Sequence, residues 1–333
     1  LAFQAKGLWG EAGILPARQF SEFALKVLGP SAYSRFPSVF WLSSADSTLV
    51  IAAWAGVAAS VLLAPGVCEG WMLLLCLALY SSFCSHGRDF MSFQWDSLLI
   101  EVGFAALFVA FWLKPFALFT AAEPSVWIRW VFYLILFKLM FLSGLVKLQS
   151  GDPSWRDMTA LRYHYWTQPI PNPVAPFVHA LPLWFHRIST VLTFVAELLL
   201  PFLIFWPRAR PIAFMGFVGL SLLIMTTGNF AFFNWLTLAL VVWLVPGSAW
   251  GLVFSKVSIA PAAFSPHWYA IVALPLLALG FFWCARSVLP ARAYALFAPA
   301  AAWTGEWRIS NSYGLFANMT KSRPEIELEG SDD

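Results

Sequence analysis

The chain has 333 residues, of which 60% are hydrophobic, 18% aromatic and only 11% Asp, Glu, Lys or Arg, with a mean hydropathy of +0.72. A soluble domain is about 25% charged, and about a quarter of its unfolded surface stays in water even at ~300 residues, so a water-soluble enzyme and a disordered chain are both excluded. The net charge of +3 is too small and too scattered to be a footprint for nucleic acid, which leaves a polytopic membrane protein with membrane lipid as its surroundings.

Residues 1–47 form an N-terminal segment. Within it, 20–42 carries an amphipathic, interfacial pattern through Phe20, Phe23, Leu25, Val27 and Leu28, then Phe36, Val39, Phe40 and Trp41. Apolar runs long enough for a ~30 Å core follow at 48–64, 71–85, 97–113 and 126–147, and again at 188–206, 211–227, 231–246 and 268–289. The run at 71–85 is short and needs its neighbours to complete a crossing. Continuous apolarity, without the alternation of barrel strands, makes these helices. The fold class is therefore all-α, a polytopic transmembrane helix bundle with about four spans in 48–147 and about four in 188–289. Pro201 and Pro275 lie inside spans, where neighbouring helices re-satisfy the freed carbonyls.

The two groups of spans are separated by 148–187. This segment carries Trp155, Tyr163, Tyr165 and Trp166, followed by five prolines between 169 and 182. It is long for a connection and too aromatic for disorder, so it is expected to be a packed, extramembrane aromatic and Pro-rich cap on one membrane face. Residues 290–333 form a tail. Its Glu-Ile-Glu-Leu-Glu at 325–329 alternates with period two, as an exposed-face strand does, and the start of a truncated C-terminal β-type domain is expected there.

Counting eight spans places 1–47, 87–96, 148–187 and the tail on one face of the membrane. The connections 65–70, 114–125, 207–210 and 247–267 fall on the other. The second face holds four basic residues (Lys114, Arg208, Arg210 and Lys256) and the first holds eight before residue 285, which by charge alone would make the first face cytoplasmic.

Ionisable groups inside spans cost several kcal/mol unless paired or hydrated, roughly 3 on insertion scales; Glu101, Lys138 and Glu197 are the clear cases, with Arg129 and Lys147 nearer the ends of their span. Lys138 and Lys147 are nine residues apart, hence on opposite sides of one helix, with Lys138 about 14 Å deeper. Lys147 can reach the cap; Lys138 needs a partner, for which Glu101 and Glu197 are the candidates. A buried lysine of lowered pKa can act as a base, and the plainer alternative is an ion pair that fixes helix register. In 87–96, Arg88 and Asp89 read as a loop clamp, and Asp96 as the N-cap of the helix that follows. Asp152 joins these as a loop-structuring residue. Cys68, Cys76, Cys84 and Cys284 form neither CxxC nor zinc spacing, and the histidines have no metal-binding pattern, so no metal and no cofactor is implied. One glycosylation sequon occurs, at Asn318-Met319-Thr320.

Two stretches, FKLMFLSGLVKLQSGDPSWRDMTALRYHYWTQPIPNP (137–173) and GRDFMSFQWDSLLIEVGF (87–104), resemble the lipase maturation factor family, as do GLWGEAGILPAR (7–18) and SNSYGLFANMTKSRPEIELEGSDD (310–333). The resemblance runs along essentially the whole chain in order. It implies a multi-pass protein of the endoplasmic reticulum membrane, or of the inner membrane if the source is bacterial, that helps secreted lipases fold and assemble. It also implies a further span before Leu1, a β-type domain after Asp333, and a luminal face carrying the cap and tail, against the basic-residue count. The client lipase would be met by the aromatic and polar side chains Trp155, Tyr163, His164, Tyr165, Trp166 and Gln168, which offer contact area at low entropy cost. A more distant likeness links the family's membrane part to vitamin K-dependent carboxylase. It supplies the alternative, a membrane-embedded enzyme with Lys138 or Lys147 as base and Glu101 nearby, although none of that enzyme's catalytic residues aligns here.

Overall fold

The computed structural model describes residues 1–110, 116, 118, 120–122, 124–246, 258–260, 266–324, 326 and 330. Its principal helices are α1 (Ala17–Leu28), α2 (Asp46–Leu63), α3 (Glu69–His86), α4 (Gln94–Ala106), α5 (Val126–Gln149), α6 (Ala160–Thr167), α7 (Leu183–Leu203), α8 (Arg210–Thr227), α9 (Phe233–Leu244), α10 (Pro266–Ala285) and α11 (Ala291–Glu306). The helical class is as expected. One departure is a parallel ladder of three residues, pairing Thr120 with Ser258, Ala121 with Ile259 and Ala122 with Ala260.

Among the described residues, five helices are long and apolar enough to cross a membrane: α2, α5, α7, α8 and Trp268–Ala285 within α10. Three of the eight expected runs fall short of that length and apolarity. Helix α3 has the length, but Glu69, His86 and three serines dilute its apolar run. Helix α4 stops after 13 residues, about 20 Å, and 111–115 lie outside the described residues. Helix α9 is likewise short of a bilayer width. The 148–187 segment is not an irregular loop either. It opens on the last turn of α5, continues through the short helices Pro153–Arg156, α6 and Ala175–His179, and ends inside α7. The β-type domain finds no support: 291–306 is helical, 307–324 is without strand, and the 325–329 alternation falls outside the described residues apart from Ile326, which is not in a strand.

The chain divides into two compact units, Leu1–Ile135 with Pro246–Ser312 and Leu136–Val245 with Tyr313–Asp333, so that the division falls within α5. That helix is the most enclosed of the five, 78% buried against 17–28% for the others, and its inward-facing charges are accordingly the most constrained.

In the first unit, α2 and α3 form a hairpin over a core of Trp9, Phe40, Leu49 and Phe83. Trp9 donates its indole N–H to the Gly87 carbonyl at 3.2 Å, which fixes the N-terminal segment on the 87–96 turn. Asp96 is buried, but it is not the N-cap. Phe93 holds that position, and Asp96 sits three residues on, accepting the Phe93 N–H at 3.1 Å and the Tyr80 hydroxyl at 2.6 Å. It thus serves the reciprocal half of a capping box, where its charge also faces the positive helix end. Arg88 and Asp89 are exposed on the 3-10 turn Arg88–Met91. The clamp expected of them is made by Arg308, which donates to the carbonyls of Met91 (2.8 Å) and Cys84 (3.3 Å). On the opposite side of this unit, Val67 bridges Phe116 and 120–122 pairs with 258–260, so three of the connections that span counting assigns to one face are joined there.

In the second unit, Phe137 and Phe141 of α5 pack on Phe202 of α7. The two helices approach most closely at Gly144, where an added Cβ would lie 2.7 Å from Leu198 Cδ2 and 2.9 Å from Glu197 Cβ. Within α7, Val195–Leu199 widens into a π-turn. Pro201 has no N–H for the Glu197 carbonyl, and its ring would collide with that carbonyl in a regular α-helix; the wider turn removes the conflict. We expect Gly144→Ala to lower stability by about 1–3 kcal/mol and Gly144→Val by more, because neither helix can retreat without opening the phenylalanine cluster. Thermal unfolding in detergent measures this, and an unchanged midpoint would mean that the helices are free to separate.

Candidate functional site

The site is built in the second unit where α5, α7 and the tail meet. Lys147 is buried, and its ammonium lies 2.9 and 2.7 Å from the two carboxylate oxygens of Glu197. It also donates to the carbonyls of Ser143 (3.1 Å) and Leu315 (3.0 Å), and lies 5.2 Å from the centroid of the Trp155 ring. Gly144 and the π-turn together place Glu197 opposite Lys147, since the first lets the helices touch and the second turns the carboxylate inward. The sequence had offered Glu197 to Lys138; it is Lys147 that takes it.

The tail is stitched to this pair. Leu315 gives its carbonyl to Lys147 and its N–H to Ser143 Oγ at 3.5 Å, so both backbone groups of one buried-face residue are met by α5. Trp155 is 1% exposed; its indole N–H donates to the Phe316 carbonyl at 3.0 Å and its ring meets Phe194 edge-on. Asp152 caps the Pro153–Arg156 turn through the Ser154 N–H (2.9 Å) and hydroxyl (2.8 Å), and reaches the Met319 N–H at 2.6 Å, with Lys321 3.7 Å away. Burial alone would raise the Asp152 pKa, but the hydrogen bonds from Met319 and Ser154 and the Lys321 charge outweigh it and hold the carboxyl below its usual range. Asp152 thus joins the Pro153–Arg156 turn to the tail at Met319.

The remaining expected residues spread over several roles. Tyr165 is buried beside His186, and Gln168 is buried, with its amide donating to the carbonyls of Tyr165 (3.2 Å) and Thr227 (2.8 Å). His164 stacks on Phe230 and meets Phe316 edge-on. Burial, and then the charge of Lys147, lower its pKa to about 4, so it is neutral at pH 7. Tyr163 lies under Lys321, 5.8 Å from its ammonium, and Trp166 is 55% exposed with its carbonyl accepting from Arg323 at 3.4 Å. Asn318 is exposed between the docked Phe316 and Met319.

Lys138 is also buried, 5.6 Å from the centroid of the Tyr313 ring. Glu101, in the first unit, accepts from Asn311 at 3.3 Å, and Asn311 in turn donates to the Arg308 and Ser97 carbonyls. Ser143, Leu315, Phe316, Arg308 and Asn311 were not singled out by the sequence. Arg308 and Asn311 belong to a scatter of polar residues past the last apolar run, while Ser143 inside a span and the apolar Leu315 and Phe316 carried no signal. Among the described residues, no three His, Cys, Asp or Glu side chains converge as metal ligands.

The sequence model of the lipase maturation factor transmembrane domain matches residues 1–251. The chain belongs to the lipase maturation factor family. Lipase maturation factor 2 of Gallus gallus is 32% identical over 100% of this chain and 62% of its own length. Lipase maturation factor 1 of Bos taurus is 32% identical over 98% and 63%, and lipase maturation factor 2 of Rattus norvegicus is 40% identical over 71% and 36%. The chain therefore spans less than two thirds of the length of these relatives. No solved structure matches it. The matched residues 1–251 contain Lys147, Glu197 and the 148–187 segment, whereas the tail that docks on them lies outside that match.

Removing one member of a buried pair strands the other charge, which costs about 3–5 kcal/mol. Lys147→Met is expected to lower stability by that amount, and Lys147→Met with Glu197→Gln to recover part of it, as read by thermal unfolding in detergent. A double variant no better than the single would mean that Lys147 acts through its backbone-carbonyl contacts alone. Because the folded His164 pKa lies below its ordinary value of 6.5, the folded state binds this proton less readily than the unfolded chain does. Its contribution is complete above pH 6.5 and is lost as pH falls toward 4. Stability measured across that window should decline, and His164→Phe should flatten the decline.

Proposed function

We propose that this chain is the membrane-embedded part of a factor that helps secreted lipases mature into active form, held in the endoplasmic reticulum membrane as a multi-pass protein. The observation that carries this reading is the family match over residues 1–251 together with relatives named lipase maturation factor along the chain. In this reading 148–187 and the tail form a cap on the luminal face, and Asn318, exposed there, carries the glycan.

A lipase that has yet to assemble exposes apolar surface, so its partner needs apolar area on a rigid support. Trp166 supplies such area, and Ile170 (62% exposed) and Phe177 (76% exposed) extend it. Buried Trp155, Tyr165 and Gln168 hold this surface from behind. Tyr163 and His164, partly buried, border it. The contact is thus narrower than the six side chains named from sequence, and it continues past residue 168.

The alternative, an enzyme with a lysine base, is not favoured. The Lys147 ammonium is engaged by both Glu197 oxygens and two carbonyls, whereas a base needs a free lone pair and a path for substrate.

The experiment is complementation with the full-length protein in cells lacking their own lipase maturation factors, scoring secreted lipase activity per molecule of lipase and abundance of the factor. Trp166→Ala with Phe177→Ala should leave abundance unchanged and cut lipase activity several-fold. Full lipase activity at normal abundance would reject this contact surface, and failure of the unaltered protein to restore any activity would reject the function.

A further inference from the structure

A groove on the second unit has a composition that neither the ion pair nor the contact surface uses. It is an open groove of about 430 Å³, lined by Arg156 and Asp157 beside Arg187, Ile188, Val191 and Leu192. Arg156 closes the turn that Asp152 caps, and Arg187 lies in the second turn of α7. Both arginines are exposed, and so are Ile188 (52%), Val191 (46%) and Leu192 (58%).

The charges and the apolar wall are ordered along α7, one of the helices long enough to cross a membrane. Arg187 stands about 6 Å along the axis from Leu183, and Leu192 about 8 Å further. Trp184, 63% exposed, sits one turn before Ile188, at the level where indoles mark a membrane surface. The groove is lined almost wholly by apolar surface, with the two exposed arginines at its rim, an arrangement that suits an acyl chain with its headgroup outside. The two guanidiniums present forked donors suited to phosphate, and their long stems let them stay at the surface. Asp157 leaves the three charged groups with a net charge of one positive, which complements a lipid of one net negative charge.

We propose that this groove is a binding site for an anionic glycerophospholipid, its phosphate held between Arg156 and Arg187 and one acyl chain laid along Ile188, Val191 and Leu192. The site shares no residue with the surface proposed for the lipase, so its failure would leave that reading intact. It would also tie the Pro153–Arg156 turn, and with it the Asp152 and Trp155 contacts to the tail, to the composition of the membrane.

Native mass spectrometry of the full chain, released from nanodiscs of phosphatidylcholine containing one tenth phosphatidylglycerol, tests this. The expected result is retention of about one phosphatidylglycerol per chain in preference to phosphatidylcholine. Arg156→Gln and Arg187→Gln should each weaken retention about fivefold, and the double variant more. As the side chains are exposed, the variants should unfold at the same temperature as the parent; should the double variant not fold, the single variants decide. Equal retention of both lipids, unchanged retention by the variants, or displacement of the lipid by inorganic phosphate at millimolar concentration would overturn the proposal, the last by assigning the site to the free anion.

Discussion

Burying a lysine and a glutamate in an apolar helix pair is costly unless each satisfies the other, and the second unit is arranged around meeting that condition. Lys147 and Glu197 lie on helices that otherwise present phenylalanines to one another. Their pairing needs close approach, which Gly144 allows, and an inward carboxylate, which the π-turn before Pro201 supplies. The ammonium still has donor capacity to spare, and the Leu315 carbonyl takes it. That contact draws in a stretch of tail whose other backbone groups must then be met, by Ser143, Trp155 and Asp152 in turn. Such a pair contributes little net stability against an apolar equivalent, but once present it dictates which helices and which tail residues meet.

How the sequence foretold this is uneven. The helical class, the apolar run at 126–147 and the need of a buried lysine there for a partner were all legible, because continuous apolar runs admit few alternatives and a charge within one is conspicuous. The partner was not. Glu197 and Lys147 are 50 residues apart, and the turn that aims Glu197 depends on a proline four positions on, which reads locally as a kink. The tail was misread for a related reason. Alternation at 325–329 has the period of a strand, but the residues that matter, 313–323, carry no periodicity, since they satisfy their backbone with other elements' side chains. Asp96 shows the limit of local rules: a carboxylate three residues inside a helix and one at its cap look alike in sequence, and both serve the same end.

The aromatic wealth of the chain divides into two kinds once the fold is known. Trp155 and Tyr165 are structural, and their indole or ring contacts lock the segment between α5 and α7. Trp166 and Phe177 face outward on short helices, with the exposed Ile170 on the bend between them. This division is what a surface for a transient apolar client requires, because an aromatic residue ordered before binding loses little freedom on contact. It is also why substitutions in the two sets should separate, the first acting on folding and the second on the contact surface proposed above.

The claim on which the account rests is that the Lys147–Glu197 pair holds the tail in place. Amide hydrogen exchange across the full chain, comparing Lys147→Met with the parent in the same detergent, tests it most directly. Exchange should rise over 313–321 and over 152–156 in the variant, while 46–63 and 69–86 stay as protected as before. Protection of 313–321 equal to that of the parent would contradict the account, since the tail would then be held by something other than the buried pair.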